Sequence, residues 1–256
     1  MILAIDMGNT NIVIGGIDST KTYFVERITT NHVKTGLEYA INIKNILEIH
    51  NVDKSQVEGA IMSSVVPPLN AALSSAVKKI FGFHPKLVGS GMKTGLNILM
   101  DNPKTVGSDM IVDAVAAIRE HPCPIIIIDM GTATTLSVVD KNGCYIGGVI
   151  LPGLRLSLDT LSSKTAQLPS ISLDIPSKVI GKNTIDCMRS GIMYGNASMI
   201  DGIIDRMEEE LGQPATLVAT GGLSRFVTPL CRHSIIYDEA LLLKGLLILY
   251  EKNKAN

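Results

Sequence analysis

One short pattern occurs twice in the sequence, and this repeat limits the possible folds more than any other feature. The stretch Ile5–Asn11 (IDMGNTN) matches Ile128–Thr134 (IDMGTAT), and the match resumes at Ile17 and Val139 with the offset changed by one residue. Each copy has the pattern of strand, tight turn, strand, turn and strand. A repeat of such long period is not that of a solenoid, so it predicts two related α/β domains, which we place at residues 1–118 and 119–256. The alternative is two β-hairpins that share turn residues by chance.

Hydrophobic patterning along the chain agrees with this mixed α/β class. Hydrophobic residues make up 46% of the 256 residues and charged residues 18%, as expected for a globular protein. Runs rich in β-branched residues predict strands at Leu3–Asp6, Ile12–Ile17, Tyr23–Ile28, Gly59–Ser63, Ile125–Asp129, Leu136–Val139, Tyr145–Ile150, Ala215–Ala219 and Ser234–Tyr237. Helical periodicity predicts helices at Leu37–Ile49, Leu69–Ile80, Ser108–Glu120, Asp186–Leu211 and Ala240–Lys252.

Charge and cysteine usage argue against several classes of protein. The net charge is -1 with no block of like charges, so neither a nucleic-acid surface nor a polybasic membrane patch is expected. The longest apolar runs fall far short of the ~20 residues of a membrane helix, and the N-terminus lacks signal-peptide features. The four cysteines and five histidines lack metal-ligand spacing, which argues against a zinc site. Widely spaced cysteines indicate reduced thiols and a cytoplasmic protein.

Two aspartates, Asp6 and Asp129, each end an apolar strand just before a glycine turn. A buried carboxylate without a partner is costly, and a cation is its natural partner. Mg²⁺ bridged to phosphates needs only one or two protein carboxylates, and the polar residues after each glycine can bind phosphate oxygens through their N–H groups. Two such turns could hold the two ends of a polyphosphate. The alternative is that each aspartate only caps its own turn.

A further glycine pair, Gly221 and Gly222, lies between a predicted strand and a helical stretch. Glycines at such a turn allow a nucleotide to approach the backbone closely, although an ordinary loop has the same composition. Together with the two aspartate turns, this pair indicates a nucleotide site.

Seven stretches, in order along nearly the whole chain, resemble the type III pantothenate kinases of the acetate and sugar kinase, Hsp70 and actin superfamily. They are DMGNTN (Asp6–Asn11), SSVVPPL (Ser63–Leu69), DNPKTVGSDM (Asp101–Met110), IDMGTATT (Ile128–Thr135), GGVILPGL (Gly147–Leu154), IGKNTIDCMRSG (Ile180–Gly191) and ATGGL (Ala219–Leu223). The resemblance implies two ribonuclease-H-like domains from an internal duplication, in the actin-like ATPase superfamily. It also implies phosphorylation of pantothenate by ATP, the first step of coenzyme A biosynthesis, with Mg²⁺ and a monovalent cation, K⁺ or NH₄⁺. Members form homodimers with the active site at the subunit boundary.

The same resemblance implies a role for individual residues. Asp109 would be the catalytic base, and Asp129 would bind the monovalent cation. The first phosphate loop would consist of Asp6, Met7, Gly8, Asn9, Thr10, Asn11, Ile12 and Val13, and Thr132 would be a second ATP contact. The substrate contacts would be Met100, Gly107, Ser108, Asp109, Met110 and Thr184, the last from the partner chain. Asp109 could instead be a carboxylate favoured at a helix start beside Ser108 as cap, and the two readings are compatible.

The acceptor side departs from the family pattern at two positions. Met110 stands where the family has arginine, and Met100 where it often has tyrosine. Arginine carries a charge and donors suited to a carboxylate, whereas methionine has neither. A basic residue elsewhere could substitute, and the candidates are Lys104, Arg155, Lys164 and Lys182. Otherwise the chain is a kinase for another small hydroxyl compound, or a non-catalytic nucleotide-binding regulatory protein.

Overall fold

The computed structural model describes residues 1–254 and has an α/β architecture. The strands are β1 Ile2–Met7, β2 Asn11–Ile17, β3 Thr22–Thr29, β4 Gly59–Ser64, β5 Lys86–Leu87, β6 Asn97–Ile98, β7 Ile125–Met130, β8 Ala133–Val139, β9 Cys144–Pro152, β10 Thr216–Thr220 and β11 Ile236–Tyr237. The α-helices are α1 Gly36–Ile49, α2 Asn70–Phe81, α3 Ser108–Glu120, α4 Leu154–Ser163, α5 Thr184–Leu211, α6 Ser224–Val227 and α7 Leu241–Lys252. In the described part of the chain, no helix is both long and apolar enough to span a membrane.

The chain forms two compact units. The first comprises Met1–Leu96, Asp101–Ala116 and the described residues from Ala240 onwards, and the second comprises Asn97–Met100 and Ala117–Glu239. The boundary at residues 118/119, which was placed from the sequence repeat, stays a prediction about the duplicated domains.

The first unit is built on a five-stranded sheet of order β3-β2-β1-β4-β5, in which β1 is antiparallel to β2 and parallel to β4. Leu3 and Ile5 point to the face covered by α1 and α2, where they pack with Tyr39 and Leu73. Residues one position away along β1 point to the opposite face because strand side chains alternate. There Ile2, Ala4 and Ile61 pack against Val112 of α3 and Leu243, Leu246 and Leu249 of α7.

Helix α7 lies close to its neighbours at two glycines. A methyl group at Gly15 of β2 would lie 2.7 Å from a Leu243 carbon, and one at Gly245 would overlap the Val112 carbonyl of α3. Because these two side chains are absent, α7 packs directly against the sheet and against α3. The helix thereby completes the core of this unit.

The second unit is built on a six-stranded sheet of order β11-β10-β7-β8-β9-β6. β7, β8 and β9 form an antiparallel meander, and β10 runs parallel to β7. Ile126 and Ile128 pack with Leu158 of α4 and Met193 of α5. All four isoleucines of β7 are at most 2% exposed, so this strand is buried on both faces, as its continuous apolar run predicts.

The sequence repeat is visible in the strand registers. A register shift lies between Gly16 and Ile17 in the first unit and between Val138 and Val139 in the second, at matching positions. The first turn has four residues between the paired Met7 and Ile12, whereas the second has three between Met130 and Thr134. Thr134 therefore corresponds to Ile12, and the sequence alignment that matched it with Asn11 is wrong by one residue. The single-residue offset arises inside the turn, where an insertion disturbs no strand pairing.

All nine strands and five helices predicted from the sequence are present, with ends that differ by a few residues. The patterns missed the two-residue strands β5 and β6 and the helix α4, and the helical stretch expected after Gly222 is the short helix α6. Helix α4 follows Pro152 and Gly153 and carries four hydroxyl residues, so its sequence resembles a turn.

Candidate functional site

The turn after β1 projects Asn9, Thr10 and Asn11 into solvent. The Gly8 N–H donates to the Asn11 carbonyl at 3.0 Å and closes the turn. Thr30, the residue after β3, donates its N–H to the Thr10 carbonyl at 2.9 Å and its hydroxyl to the Gly8 carbonyl at 2.7 Å. Patterning of the sequence missed Thr30, because a threonine after a strand carries no signal of a contact 22 residues away.

Asp6 lies at the end of β1, partly buried, and its register partners are Val13 on β2 and Ser63 on β4. Paired residues on neighbouring strands point to the same face, so Asp6 and Ser63 share the face that α3 and α7 cover. Among residues 1–254, no cluster of three or more His, Cys, Asp or Glu side chains could hold a metal ion by itself. A divalent ion here would need phosphate oxygens as further ligands, which fits the way Mg²⁺ accompanies nucleotides.

A hydroxyl network joins the end of β4 to the start of α3. The Ser108 hydroxyl lies 2.9 Å from that of Ser63, accepts the Ser64 N–H at 3.0 Å and donates to the Ser64 carbonyl at 3.0 Å. Because a hydroxyl carries one proton, Ser63 is the donor to Ser108. Ser63 is fully buried. Ser108 is the first residue of α3, and these bonds fix where the helix begins.

Asp109 follows directly in the first turn of α3. Burial raises the pKa of its carboxyl, and hydrogen bonds from the backbone N–H groups of Met110 and Asp109 itself lower it in part. The Met110 N–H donates to Asp109 Oδ1 at 2.8 Å. A desolvated carboxylate held by backbone donors at a helix N-terminus has the properties of a general base. Met110 itself is half-buried and brings no charge beside it.

In the second unit, the turn after β7 has the same plan. The Gly131 N–H donates to the Ala133 carbonyl at 3.0 Å, and the Gly153 N–H donates to the Thr132 carbonyl at 3.1 Å. The register partners of Asp129 are Thr135 on β8 and Thr220 on β10. The structure therefore brings the candidate residues Asp129 and Thr132 to one end of the sheet.

Gly221 follows β10 and lies against Asp129. Its φ is +88°, and a methyl group there would lie 2.6 Å from Asp129 Oδ1 and 2.8 Å from the Met130 N and O atoms. A residue with positive φ and such contacts must be glycine. Gly221 and the adjacent Gly222 thus belong to the same end of the second sheet as Asp129.

The remaining candidate residues are spread over both units. Gly107 adjoins Ser108 and Asp109 in the first unit. Met100 belongs to the second unit, where a methyl group on Gly147 would lie 3.6 Å from its Sδ, and Thr184 is the exposed first residue of α5. The basic residues that could replace the family arginine are all exposed: Lys104, Arg155, Lys164 and Lys182.

Comparisons with known proteins identify the family of this chain. A family model described as type III pantothenate kinase matches residues 2–206. Two proteins named type III pantothenate kinase are similar along nearly the whole chain. That of Exiguobacterium sp. is 45% identical over 254 residues (99% of this chain, 100% of the relative), and that of Bacillus cytotoxicus is 44% identical over 253 residues (99% and 97%).

A solved structure from Campylobacter jejuni, provisionally described as a Baf family transcriptional activator, has a TM-score of 0.60 at 18% identity and 98% coverage of both chains. At this identity the likeness shows only a shared fold. Because the family model covers most of the chain and close relatives match it end to end, the chain belongs to the type III pantothenate kinase family.

Proposed function

We propose that this protein transfers the γ-phosphoryl group of ATP to the primary hydroxyl of pantothenate, giving 4′-phosphopantothenate in the first step of coenzyme A biosynthesis. Family membership supports the reaction, and the observation that carries its mechanism is Asp109, a mostly buried carboxylate at the start of α3. Phosphoryl transfer needs alignment and charge neutralisation more than covalent help from the protein.

Asp109 acts as the base in this proposal. Its carboxylate accepts the proton of the pantothenate hydroxyl while the hydroxyl oxygen bonds to the γ-phosphorus and the bond to the ADP oxygen breaks. The Ser108 network fixes the start of α3 and so aims the carboxylate. In this proposal the contacts with the acceptor are made by Met100, Gly107, Ser108 and Met110, and by Thr184 of the second chain of a homodimer.

The proposed contacts with the nucleotide lie in the turns that follow β1, β7 and β10. Residues 6–13 bind its phosphates through turn N–H groups, Thr132 adds a contact, and Gly221 and Gly222 let the nucleotide approach the backbone. Asp6 is the carboxylate for Mg²⁺ and Asp129 the ligand of K⁺ or NH₄⁺. A bound cation neutralises phosphate charge as it develops. The absence of an all-protein metal cluster among residues 1–254 favours ions that share ligands with ATP. We place the reaction in the cytoplasm.

A second candidate function is favoured by Met110. A methionine at this position offers no partner for the carboxylate of pantothenate, so an uncharged hydroxyl compound is the alternative acceptor.

The test is ADP release by the purified protein with ATP, Mg²⁺ and K⁺, with and without pantothenate. We compare wild type with Asp109→Asn and with Asp101→Asn as the matched control, because Asp101 is exposed on a nearby loop. Pantothenate-dependent release that only Asp109→Asn abolishes supports the proposal. Release with another alcohol but not with pantothenate favours the second candidate. ATP binding without turnover on any acceptor contradicts both and indicates a regulatory protein.

A further inference from the structure

The first phosphate turn contains a peptide that could adopt two orientations. This peptide joins Gly8 to Asn9, and the glycine tolerates the backbone angles of either orientation. A phosphate favours one of them strongly, because an N–H group attracts an anion and a carbonyl oxygen repels it. Something outside the turn must therefore select the orientation before the nucleotide binds.

Thr30 is in position to make this selection. Its hydroxyl donates to the Gly8 carbonyl at 2.7 Å, and its N–H donates to the Thr10 carbonyl at 2.9 Å. In a trans peptide the carbonyl and the N–H point in opposite directions, so the Asn9 N–H points away from Thr30. The side chain of Thr30 is only 9% exposed, which protects its bond from competing water.

The second unit repeats the backbone part of this arrangement, which is the bond from the Thr30 N–H to the Thr10 carbonyl. There the backbone N–H of Gly153, which follows β9, donates to the Thr132 carbonyl at 3.1 Å. A methyl group at Gly153 would overlap the carbonyl oxygens of Thr132 and Gly131, so this contact is close. In each unit, the backbone N–H of the residue after the third strand of the meander donates to a carbonyl of the turn, and in the first unit the Thr30 hydroxyl adds a bond to the Gly8 carbonyl.

We infer that Thr30 is a positioning residue for nucleotide phosphates: its hydroxyl holds the Gly8 carbonyl inward and thereby presents the Asn9 N–H to the anion. This inference rests on the proposed role of the first turn in ATP binding. It predicts that Thr30 affects the phosphate part of the ligand and leaves the nucleoside part unaffected.

The experiment measures binding of MgATP and of adenosine by calorimetry, without pantothenate, to wild type and three variants. Thr30→Val keeps the shape of the side chain and removes the hydroxyl, whereas Thr30→Ser keeps the hydroxyl. Thr22→Val is the matched control, because Thr22 is exposed at the other end of β3. Melting temperatures are recorded for all four proteins.

Loss of one hydrogen bond that orients the turn should weaken MgATP binding about three- to tenfold in Thr30→Val. Thr30→Ser and Thr22→Val should bind like wild type, and adenosine binding should be the same in all. Equal MgATP affinity of Thr30→Val and wild type would overturn the inference while leaving the proposed function intact. Parallel losses of MgATP and adenosine binding would show a merely structural role and also overturn it. Failure of wild type itself to bind MgATP would overturn both.

Discussion

Replacing Gly221 by alanine tests whether the end of β10 and Asp129 are in contact. The φ of +88° places this residue in the left-handed region, and the new methyl carbon would lie 2.6 Å from Asp129 Oδ1 and 2.8 Å from the Met130 backbone nitrogen and oxygen. Normal carbon contacts are about 3.5–4.0 Å, so either the Asp129 side chain or the turn must move.

The expected cost has two parts. A left-handed conformation costs a residue with a Cβ atom about 1–2 kcal/mol. Overpacking against backbone atoms that have little freedom adds about 1–3 kcal/mol. The total is about 2–5 kcal/mol, which at about 2–4 °C per kcal/mol for a chain of this size lowers the melting temperature by roughly 4–20 °C.

Gly212→Ala is the matched control for this prediction. Gly212 ends α5 with a φ of +69°, and nothing lies within 4 Å of an added methyl group. It carries the conformational cost alone, about 1–2 kcal/mol. Thermal unfolding of both variants, followed by circular dichroism, gives the difference. If Gly221→Ala melts at the same temperature as Gly212→Ala, the contact with Asp129 contributes nothing and the reasoning is refuted.

Three further predictions concern the acceptor side. Burial raises the pKa of Asp109, so kcat should fall as the pH is lowered through that raised value, at a higher pH than an ordinary aspartate would give. In the folded state this carboxyl keeps its proton to higher pH than in the unfolded chain. The free energy of unfolding should therefore decrease as the pH rises from the unfolded pKa of Asp109 through its raised folded pKa. Denaturation of Asp109→Asn should lack this pH dependence. Ser63→Ala removes the donor to Ser108 and should lower kcat with little change in the KM for ATP. An equal rise in the KM values for ATP and for pantothenate would contradict a role of Ser63 in orienting Asp109. Met110→Arg should lower the KM for pantothenate about tenfold or more, since a hydrogen bond between charged groups contributes about 1.5–3 kcal/mol, and an unchanged KM would show that the carboxylate binds elsewhere.

Local sequence patterns were sufficient for nine of the eleven strands in the described part of the chain and for the two aspartate turns. β1 and β7 are apolar runs that end in the same residues, so alternation and turn chemistry identify them without knowledge of the rest of the chain. The one-residue offset between the two copies could also be seen in the sequence. Only the strand registers show that it arises inside the first turn.

The contacts that complete the site could not be predicted from the sequence, because they join residues far apart in the chain. The Thr30 hydroxyl reaches Gly8, and Ser63 meets Ser108 across 45 residues, yet threonine and serine are common in loops and carry no local signal of such a partner. From the sequence, Gly221 was interpreted as a glycine that lets a nucleotide approach the backbone, whereas in the structure Asp129 and Met130 occupy the space next to it. Hydroxyls and glycines reveal their roles only when their neighbours are known.

The position of α7 has a consequence for synthesis of the protein on the ribosome. Leu243, Leu246 and Leu249 complete the apolar layer over Ile2 and Ala4, which are made long before α7. Roughly 125 residues lie between Ala116 and α7. At a synthesis rate of about 5–20 residues per second, the ribosome needs roughly 6–25 s to make them, and the layer stays incomplete until then. During that interval one face of the nascent sheet has no cover from its last helix and is open to chaperones or to other nascent chains.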